Sequence, residues 1–294
     1  MAVSLYSIGW ALSHPVPAEI GAPPAELNAE AVAFPSQSGS TIHGWLSQPP
    51  DARGAVLLLP GVRGNRLSMV ERAVFLRQNG YSTLAIDFQG TGESSGDAIT
   101  FGWRERLDVL AAVEYLKARL PGQRVGIIGV SLGGAATLLA TPPLQVDAVV
   151  LEAVYPSIDR AVFNRLRMRI GPLARLGAPL LLFQLRPRIG IHASDLRPVD
   201  HIGRLRCPVL IVAGTLDRHT TVDDTQTLFA AAPPSRELWL IPGAPHVDFM
   251  EFAREDYRRR ISTFFERTLR GTRIVSNTSL EITDWRSMFD NDWR

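Results

Sequence analysis

Cysteine is almost absent from this sequence of 294 residues, which contains only Cys207. A single cysteine excludes an intrachain disulfide and a metal site built from several thiolates. Such cysteine usage is compatible with a reducing compartment, so we expect a cytoplasmic protein.

Long apolar runs are also missing. No stretch approaches the roughly 18 apolar residues that suggest a membrane span. Residues 3–12 (VSLYSIGWAL) have the length of the apolar part of a signal peptide, but no basic segment precedes them and no A-x-A site follows. They are either a packed or frayed N-terminal segment or the remnant of a signal or short anchor. In the second case the protein would be exported or anchored.

Neither sign of charge dominates. The chain has 31 Lys and Arg against 29 Asp and Glu, a formal net charge of +2. Since no basic block stands out, we expect no nucleic-acid partner. A hydrophobic content of 46% over this length is enough for a full-sized core, and α/β folds of this size commonly form one domain.

Short aliphatic runs alternate with longer helical patterns along most of the chain. This alternation predicts an α/β fold with a mostly parallel central sheet and helices on both faces. The predicted strands cover residues 42–47, 55–59, 82–88, 124–130, 148–153, 209–213 and 238–241. The predicted helices cover about residues 66–79, 101–119, 132–140, 222–231 and 249–267.

The two ends of the chain differ from this body. Residues 1–31 are predicted to form a lead-in, and the Pro- and Ala-rich stretch 13–36 should be extended rather than helix or strand. The domain proper then covers residues 32–268. Residues 269–294 lose periodicity and are predicted to be a tail.

Residues 156–206 interrupt the alternation, because they are too long for one crossover helix. We expect them to form a helical lid. The apolar residues that share one helical face are Ile158, Val162, Phe163, Leu166 and Ile170. The basic residues that fall largely elsewhere are Arg160, Arg165, Arg167 and Arg169. These arginines form either a solvated face or a face for anionic lipid or an acidic substrate, which leaves membrane contact open.

The sequence GVSLG at 129–133 is a G-x-S-x-G motif between a predicted strand and a predicted helix. This setting predicts a sharp turn that presents the Ser131 hydroxyl above the sheet. Glycines on both sides relieve crowding, and the helix N-terminus favours negative charge nearby. Ser131 is therefore the candidate nucleophile.

A serine nucleophile needs a base, and the base needs a carboxylate that holds it in one tautomer. His246 lies in IPGAPH, after a strand and before the last helix, which places it at the same sheet edge as Ser131. Asp217 ends VLIVAGTLD at the carboxyl end of a strand, where open α/β sheets collect site residues. The chain order Ser131, Asp217, His246 is that of a hydrolase triad.

Other residues are weaker candidates for these roles. Glu152, at the end of the predicted strand that comes after the Ser131 turn, is the reserve acid. Asp223 or Asp224 should instead cap the predicted helix at 222–231. His219 is too close to Asp217 in sequence to face it easily. The other histidines expected to be surface or packing residues are His14, His43, His192 and His201.

Two backbone amides are predicted to bind the oxyanion. One belongs to Leu132, which follows the nucleophile, and the other to Val62 in the loop PGVRGN. This loop lacks the G-x-x-x-x-G-K-[ST] pattern of a phosphate cradle, which argues against nucleotide binding.

These motifs together resemble the α/β-hydrolase superfamily, and more narrowly its bacterial serine-aminopeptidase-like and esterase branch, from about residue 32 to 268. The stretches that carry the likeness are FPSQSGSTIHGWLSQP, LLLPGVRGN, AIDFQGTGESSG, GVSLGG, VAGTLD and PGAPH. The sequence departs from the family at Pro60, where relatives often have His, and at Gln89, where they often have Arg.

The residues and the resemblance predict a serine hydrolase that works through an acyl-enzyme, without metal or organic cofactor. We expect a small-molecule acyl ester as substrate, because the lid offers apolar surface at 178–183 and no acidic cluster for a substrate amine. A serine peptidase and an acyl thioesterase are the alternatives, followed by a non-catalytic binding protein with this fold. The sequence does not determine the oligomeric state.

Overall fold

An eight-stranded sheet organises the chain in the computed structural model, which describes residues 2–270. The strands are β1 (Val16–Pro17), β2 (Ala29–Pro35), β3 (Thr41–Ser47), β4 (Ala55–Leu59), β5 (Ser82–Ile86), β6 (Thr91–Gly92), β7 (Val125–Val130), β8 (Ala148–Glu152), β9 (Val209–Gly214) and β10 (Arg236–Ile241). The sheet order is β10-β9-β8-β7-β4-β5-β3-β2, and β1 pairs with β6 separately. Only β3 runs antiparallel to its neighbours β2 and β5, so the predicted mostly parallel sheet is confirmed.

Helices cover both faces of this sheet. They are α1 (Ala2–Ser13), α2 (Val70–Gln78), α3 (Glu105–Arg119), α4 (Leu132–Leu139), α5 (Ile158–Ile170), α6 (Ala174–Phe183), α7 (Leu185–Ile189), α8 (Val222–Ala231), α9 (Phe249–Phe252) and α10 (Arg254–Leu269). One core holds side chains of α3, α4 and α8, and the other holds side chains of α2, α9 and α10. The predicted arrangement of helices on both faces is therefore confirmed.

Alternation along the strands divides the apolar residues between the two cores. In β4, Leu57 and Leu59 enter the core with α3, whereas Val56 and Leu58 enter the core with α2. Successive side chains of a strand point to opposite faces, so a strand buried on both sides is apolar throughout. This explains why the central strands read as unbroken aliphatic runs.

The prediction that residues 13–36 contain neither helix nor strand is wrong. Helix α1 extends to Ser13, and Ala29–Pro35 forms β2, an edge strand of the main sheet. The strand forms because Phe34 is buried and its ring stacks on Tyr115, with centroids 4.6 Å apart. Its last residue, Pro35, is tolerated because an edge strand has no second neighbour that needs its N–H.

Three helices, α5, α6 and α7, lie between β8 and β9, where the sequence predicts an inserted lid. α5 and α6 share a small core of their own, formed by Leu166, Ala174, Ala178 and Leu181. At the other end of the chain, α10 ends at Leu269, and the rest of the predicted tail from 271 lies outside the described residues. Among the described helices, none combines the length and the apolar character needed to cross a bilayer.

Candidate active site

Ser131 lies in the turn between β7 and α4 with φ 48° and ψ −106°. A non-glycine residue in such a conformation costs about 1–3 kcal/mol and persists only where its surroundings hold it. Its N–H donates to the Glu152 carbonyl at 2.7 Å, and its carbonyl accepts from the Ala135 N–H at 3.0 Å. The strained backbone is thus fixed by β8 on one side and by α4 on the other.

The glycines around Ser131 are required by close backbone approach. A Cβ atom at Gly129 would lie 2.6 Å from the Gly134 nitrogen, and one at Gly133 would lie 2.6 Å from the Leu59 oxygen. Neither backbone contact can yield as a flexible side chain would. The strand and the helix can therefore meet at this sharp turn only if both positions lack side chains.

His246 and Asp217 form a direct hydrogen bond. Nδ1 of His246 lies 2.7 Å from Oδ2 of Asp217, whose side chain is fully buried, while the His246 side chain is 25% exposed. The other Asp217 oxygen accepts from the N–H groups of His219 at 2.7 Å and Thr220 at 2.9 Å. An ionised carboxylate only accepts, so this contact favours the tautomer of the neutral imidazole in which Nδ1 carries the hydrogen and Nε2 keeps its lone pair.

The predicted nucleophile, acid and base all follow strands of the parallel part of the sheet. Ser131 comes after β7, Asp217 after β9 and His246 after β10, so they share the carboxyl edge. Within residues 2–270, no hydrogen bond joins the Ser131 hydroxyl to His246. In enzymes without substrate such contacts are often long and shorten on binding.

A cleft that is open to solvent is lined by Ser131. Its wall is mainly apolar and is built from the loop after β4, from α1 and from the helices between β8 and β9. The large apolar side chains of this wall include Phe101, Tyr155, Ile158, Leu181, Leu185 and Ile189. From α1, Leu12 and Ser13 also line the cleft.

Val62 and Leu132, the predicted oxyanion residues, both line this cleft beside Ser131. A Cβ atom at Gly61 would lie 3.8 Å from the Ser131 Cβ, so the loop after β4 packs against the serine turn. Among the described residues, neither the Val62 N–H nor the Leu132 N–H donates to a protein acceptor.

Comparison with known proteins places this site in a family. Residues 56–260 match the model of the alpha/beta hydrolase family, a segment that is more than half of the chain and contains Ser131, Asp217 and His246. The chain belongs to the alpha/beta hydrolase family. The predicted superfamily and fold are thereby confirmed.

Individual proteins are similar to this α/β hydrolase in sequence or in fold. The uncharacterized protein YqkD of Bacillus subtilis (strain 168) is 24% identical over 245 residues, which cover 82% of this chain and 80% of YqkD. An esterase of Pyrococcus furiosus superposes with a TM-score of 0.72 at 22% identity, covering 87% of this chain and 98% of that chain. A serine hydrolase of Xanthomonas campestris, described as lacking a lid, superposes with a TM-score of 0.57 at 18% identity, covering 86% and 99%. At these identities, the structural likeness concerns the fold.

The hydrolase places a second histidine against His246, which the sequence analysis had set aside. The rings of His219 and His246 stack with centroids 4.7 Å apart and planes 9° apart. Nδ1 of His219 is buried and has no hydrogen-bond partner among the described residues. Burial, followed by His246 and Arg165, lowers the pKa of His219, which favours the neutral form of its ring beside His246. The spacing of Asp217 and His219 in the sequence indicates that they share a turn. It does not predict that the His219 ring stacks on His246.

Glu152, the reserve acid, lies in a different network of the hydrolase. It is buried, accepts from Arg72 Nη2 at 2.7 Å and from the Tyr257 hydroxyl at 2.5 Å, and contacts neither histidine. Asp224 takes part in capping as predicted, since it forms a capping box with Thr221 at the start of α8.

Gln89 supports the turn after β5. Its side-chain amide donates to Glu105 at 3.1 Å and to the Ala98 carbonyl, and its backbone N–H donates to Asp108 at 3.0 Å. A neutral amide therefore holds this turn in the present hydrolase. The carboxyl groups of Glu105 and Asp108 consequently lie buried beside an uncharged partner.

Proposed function

We propose that this α/β hydrolase is a carboxylesterase that cleaves acyl esters with Ser131 as nucleophile, His246 as base and Asp217 as the acid that orients His246. The observation that carries the proposal is the 2.7 Å hydrogen bond between His246 Nδ1 and Asp217 Oδ2. This bond leaves Nε2 as a base at the edge of the sheet where the Ser131 turn lies.

In the proposed reaction, Nε2 of His246 takes the proton of the Ser131 hydroxyl while Oγ attacks the ester carbonyl. The negative oxygen that forms accepts from the N–H groups of Val62 and Leu132, donors whose removal typically costs about 10²–10³ in kcat. His246 then gives its proton to the departing alcohol. It next activates a water that hydrolyses the acyl-enzyme, and Asp217 stabilises the imidazolium in both steps.

The composition of the cleft favours an acyl ester over a peptide. Its wall is predominantly apolar, and none of the described residues that line it is Asp or Glu. A substrate with a protonated amine would therefore find no counter-ion there, whereas an acyl chain finds a matching surface. An acyl thioester would fit the same wall and is the second candidate. We propose that α5, α6 and α7 act as the lid over this substrate.

A fluorophosphonate probe and a substrate panel test this function. We expect the probe to label Ser131, and Ser131→Ala to lower kcat by roughly 10⁴-fold or more without unfolding the protein. Ser235→Ala removes an exposed serine and serves as the matched control. The panel contains p-nitrophenyl esters from acetate to decanoate, acyl thioesters and aminoacyl anilides. A higher kcat/KM for the anilides than for every ester would overturn the assignment.

The same panel tests the apolar wall. Burial of each methylene contributes about 0.8 kcal/mol, so kcat/KM should rise a few-fold per carbon until the cleft is full, provided that the gain reaches the transition state. A kcat/KM that is flat from acetate to hexanoate would show that the acyl chain does not occupy this wall.

A further inference from the structure

Arg165 places a positive charge in the cleft that Ser131 lines. It lies on α5, is half-buried, and lines the cleft together with Ser131 and the apolar residues of α5 to α7. The helical pattern of α5 predicts that Arg165, like the other arginines of this helix, falls largely away from the apolar face. Its position in the wall is a correction, since α5 turns this arginine towards the interior.

The guanidinium of Arg165 has no counter-ion within the part of the chain that the structure describes. No carboxylate oxygen lies within 4.0 Å of its nitrogens, and its one hydrogen bond is a long contact of 3.4 Å from Nη1 to the Ala161 carbonyl. The neighbouring acid Asp217 is already engaged by His246, His219 and Thr220. Burial lowers the pKa of Arg165, while the nearby Tyr155 and Asp217 raise it.

Neighbouring arginines are engaged differently, although Arg188 also lacks a carboxylate partner among the described residues. Arg160 of the same helix pairs with Asp224 at 2.6 Å, and Arg167 and Arg169 are exposed to water. Arg188, the other arginine of the cleft wall, donates to the Tyr6 carbonyl at 2.5 Å and lies over the Tyr6 ring. Arg165 is therefore partly buried in the cleft wall with no carboxylate partner among the described residues.

We propose that Arg165 binds an anionic oxygen group of the substrate, a carboxylate or a phosphate, so that the preferred substrates are anionic esters with an apolar portion. A partly desolvated charge is stabilised when it is paired and hydrogen-bonded, and a guanidinium matches both anions with two parallel N–H donors. The apolar wall would take the hydrocarbon portion of the same molecule. This inference rests on the proposed esterase function.

Paired esters that differ in charge at similar shape test the proposal. On the acyl side the pair is mono-p-nitrophenyl adipate and p-nitrophenyl 6-methylheptanoate, and on the alcohol side it is 3-carboxy-4-nitrophenyl butyrate and p-nitrophenyl butyrate. The quantity measured is the ratio of kcat/KM for the charged ester to that for the neutral one, at 0.15 M salt. We expect Arg165→Met to lower this ratio by roughly ten- to hundred-fold in at least one pair, since it removes a charge-assisted hydrogen bond.

Arg167→Met is the matched control, because Arg167 is an exposed arginine on the same helix outside the cleft. It should leave both ratios unchanged. Arg165→Lys keeps the charge and should retain part of the preference for the charged ester, which separates the effect of charge from that of packing. The midpoint of thermal unfolding verifies that each variant folds. An unchanged ratio in both pairs for Arg165→Met would overturn the proposal while leaving the esterase intact. Failure of the wild-type protein to cleave any of the four esters would overturn the esterase function and, with it, this inference.

Inhibition of neutral-ester hydrolysis by hexanoate and by hexyl phosphate then distinguishes the two anions. The anion that Arg165 binds should inhibit the wild-type protein about ten-fold more strongly than Arg165→Met. Equal inhibition of both proteins by both anions would contradict an anion site at this residue.

Discussion

Asp217 uses its two oxygens differently, one for the His246 imidazole and one for two backbone amides. Asp217→Asn should lower kcat by about 10⁴-fold, since an amide favours the wrong imidazole tautomer and cannot stabilise the imidazolium. Glu152→Gln is the comparison, because it also removes a buried carboxylate charge but leaves the histidines untouched. We expect it to lower the free energy of unfolding in urea, with a far smaller effect on kcat. The reverse ranking of the two kcat values would transfer the role of acid to Glu152.

The ring of His219 stacks on His246, and we expect this contact to hold the His246 imidazole in position. His219→Phe retains a flat ring against His246 and should keep kcat close to that of the wild-type protein. His219→Ala removes the stack and should lower kcat roughly ten- to hundred-fold, because small displacements of a reacting group are costly. Since the lowered pKa of His219 favours its neutral ring, the Phe variant should preserve the pH profile of kcat/KM above pH 7. An equal loss of kcat in both variants would contradict a positioning role for the ring stack.

The sequence predicts the positions of some site residues and not those of others. The Asp217–His246 contact follows from two recognisable strand-end turns, although the catalytic roles remain predictions. His219 and Arg165 carry no such pattern, because their importance depends on which loop or helix face comes to lie beside them. Only the packing of α5 and of the two turns determines that.

At the scale of elements, the β7–α4 turn tolerates no added atom at Gly129. Gly129→Ala should lower the free energy of unfolding by about 1–3 kcal/mol, or prevent folding, because the new Cβ meets Gly134 backbone. Gly177→Ala is the matched control, since its Cβ would make ordinary contacts of 3.4 Å with Leu166 and 3.5 Å with Ile170 inside a helix. It should leave stability unchanged or raise it by up to about 1 kcal/mol. Urea unfolding of the two variants checks the difference, and equal stabilities would refute the steric argument.

Predicted and observed elements agree best where periodicity is strong. All seven predicted strands form, with ends displaced by no more than two residues. β2 was missed because Pro and Ala dominate its surroundings, while its pairing with β3 is a tertiary contact that composition does not show. Helix α1 was missed for a similar reason, since its twelve residues lack polar periodicity and first and last turns of complementary charge.

At the scale of the whole molecule, pH couples to stability through Asp108. Burial raises the pKa of Asp108 to about 7, although Ser36, Ser38 and the Gln89 N–H donate to it. In the unfolded chain its pKa is about 3.9. Between these values the folded state holds a proton that the unfolded state has released. The stability from this group is therefore complete below pH 4 and is lost as the pH rises to 7.

Asp108→Asn removes this titration. The free energy of unfolding of the variant relative to the wild-type protein should therefore increase as the pH rises from 4 to 8. Asp97→Asn is the control, because the Asp97 side chain is 80% exposed and pairs with Arg104 at the surface. Urea unfolding at pH 4.5, 6 and 8 measures both differences. A difference for Asp108→Asn that does not change with pH would show that this carboxyl is not protonated in the folded state.

The position of α1 bears on how the enzyme should be produced. Its last turn lines the cleft, and Arg63 of the loop after β4 donates to the Ala11 carbonyl at 2.6 Å. A purification tag joined ahead of α1 would extend a helix that contacts both the cleft and the loop that carries Val62, so we expect it to alter activity. Leu269 instead packs on Gly54, at the start of β4 and so at the opposite edge of the sheet. Affinity handles belong beyond α10, and activities measured with an amino-terminal tag should be compared with those measured after its removal.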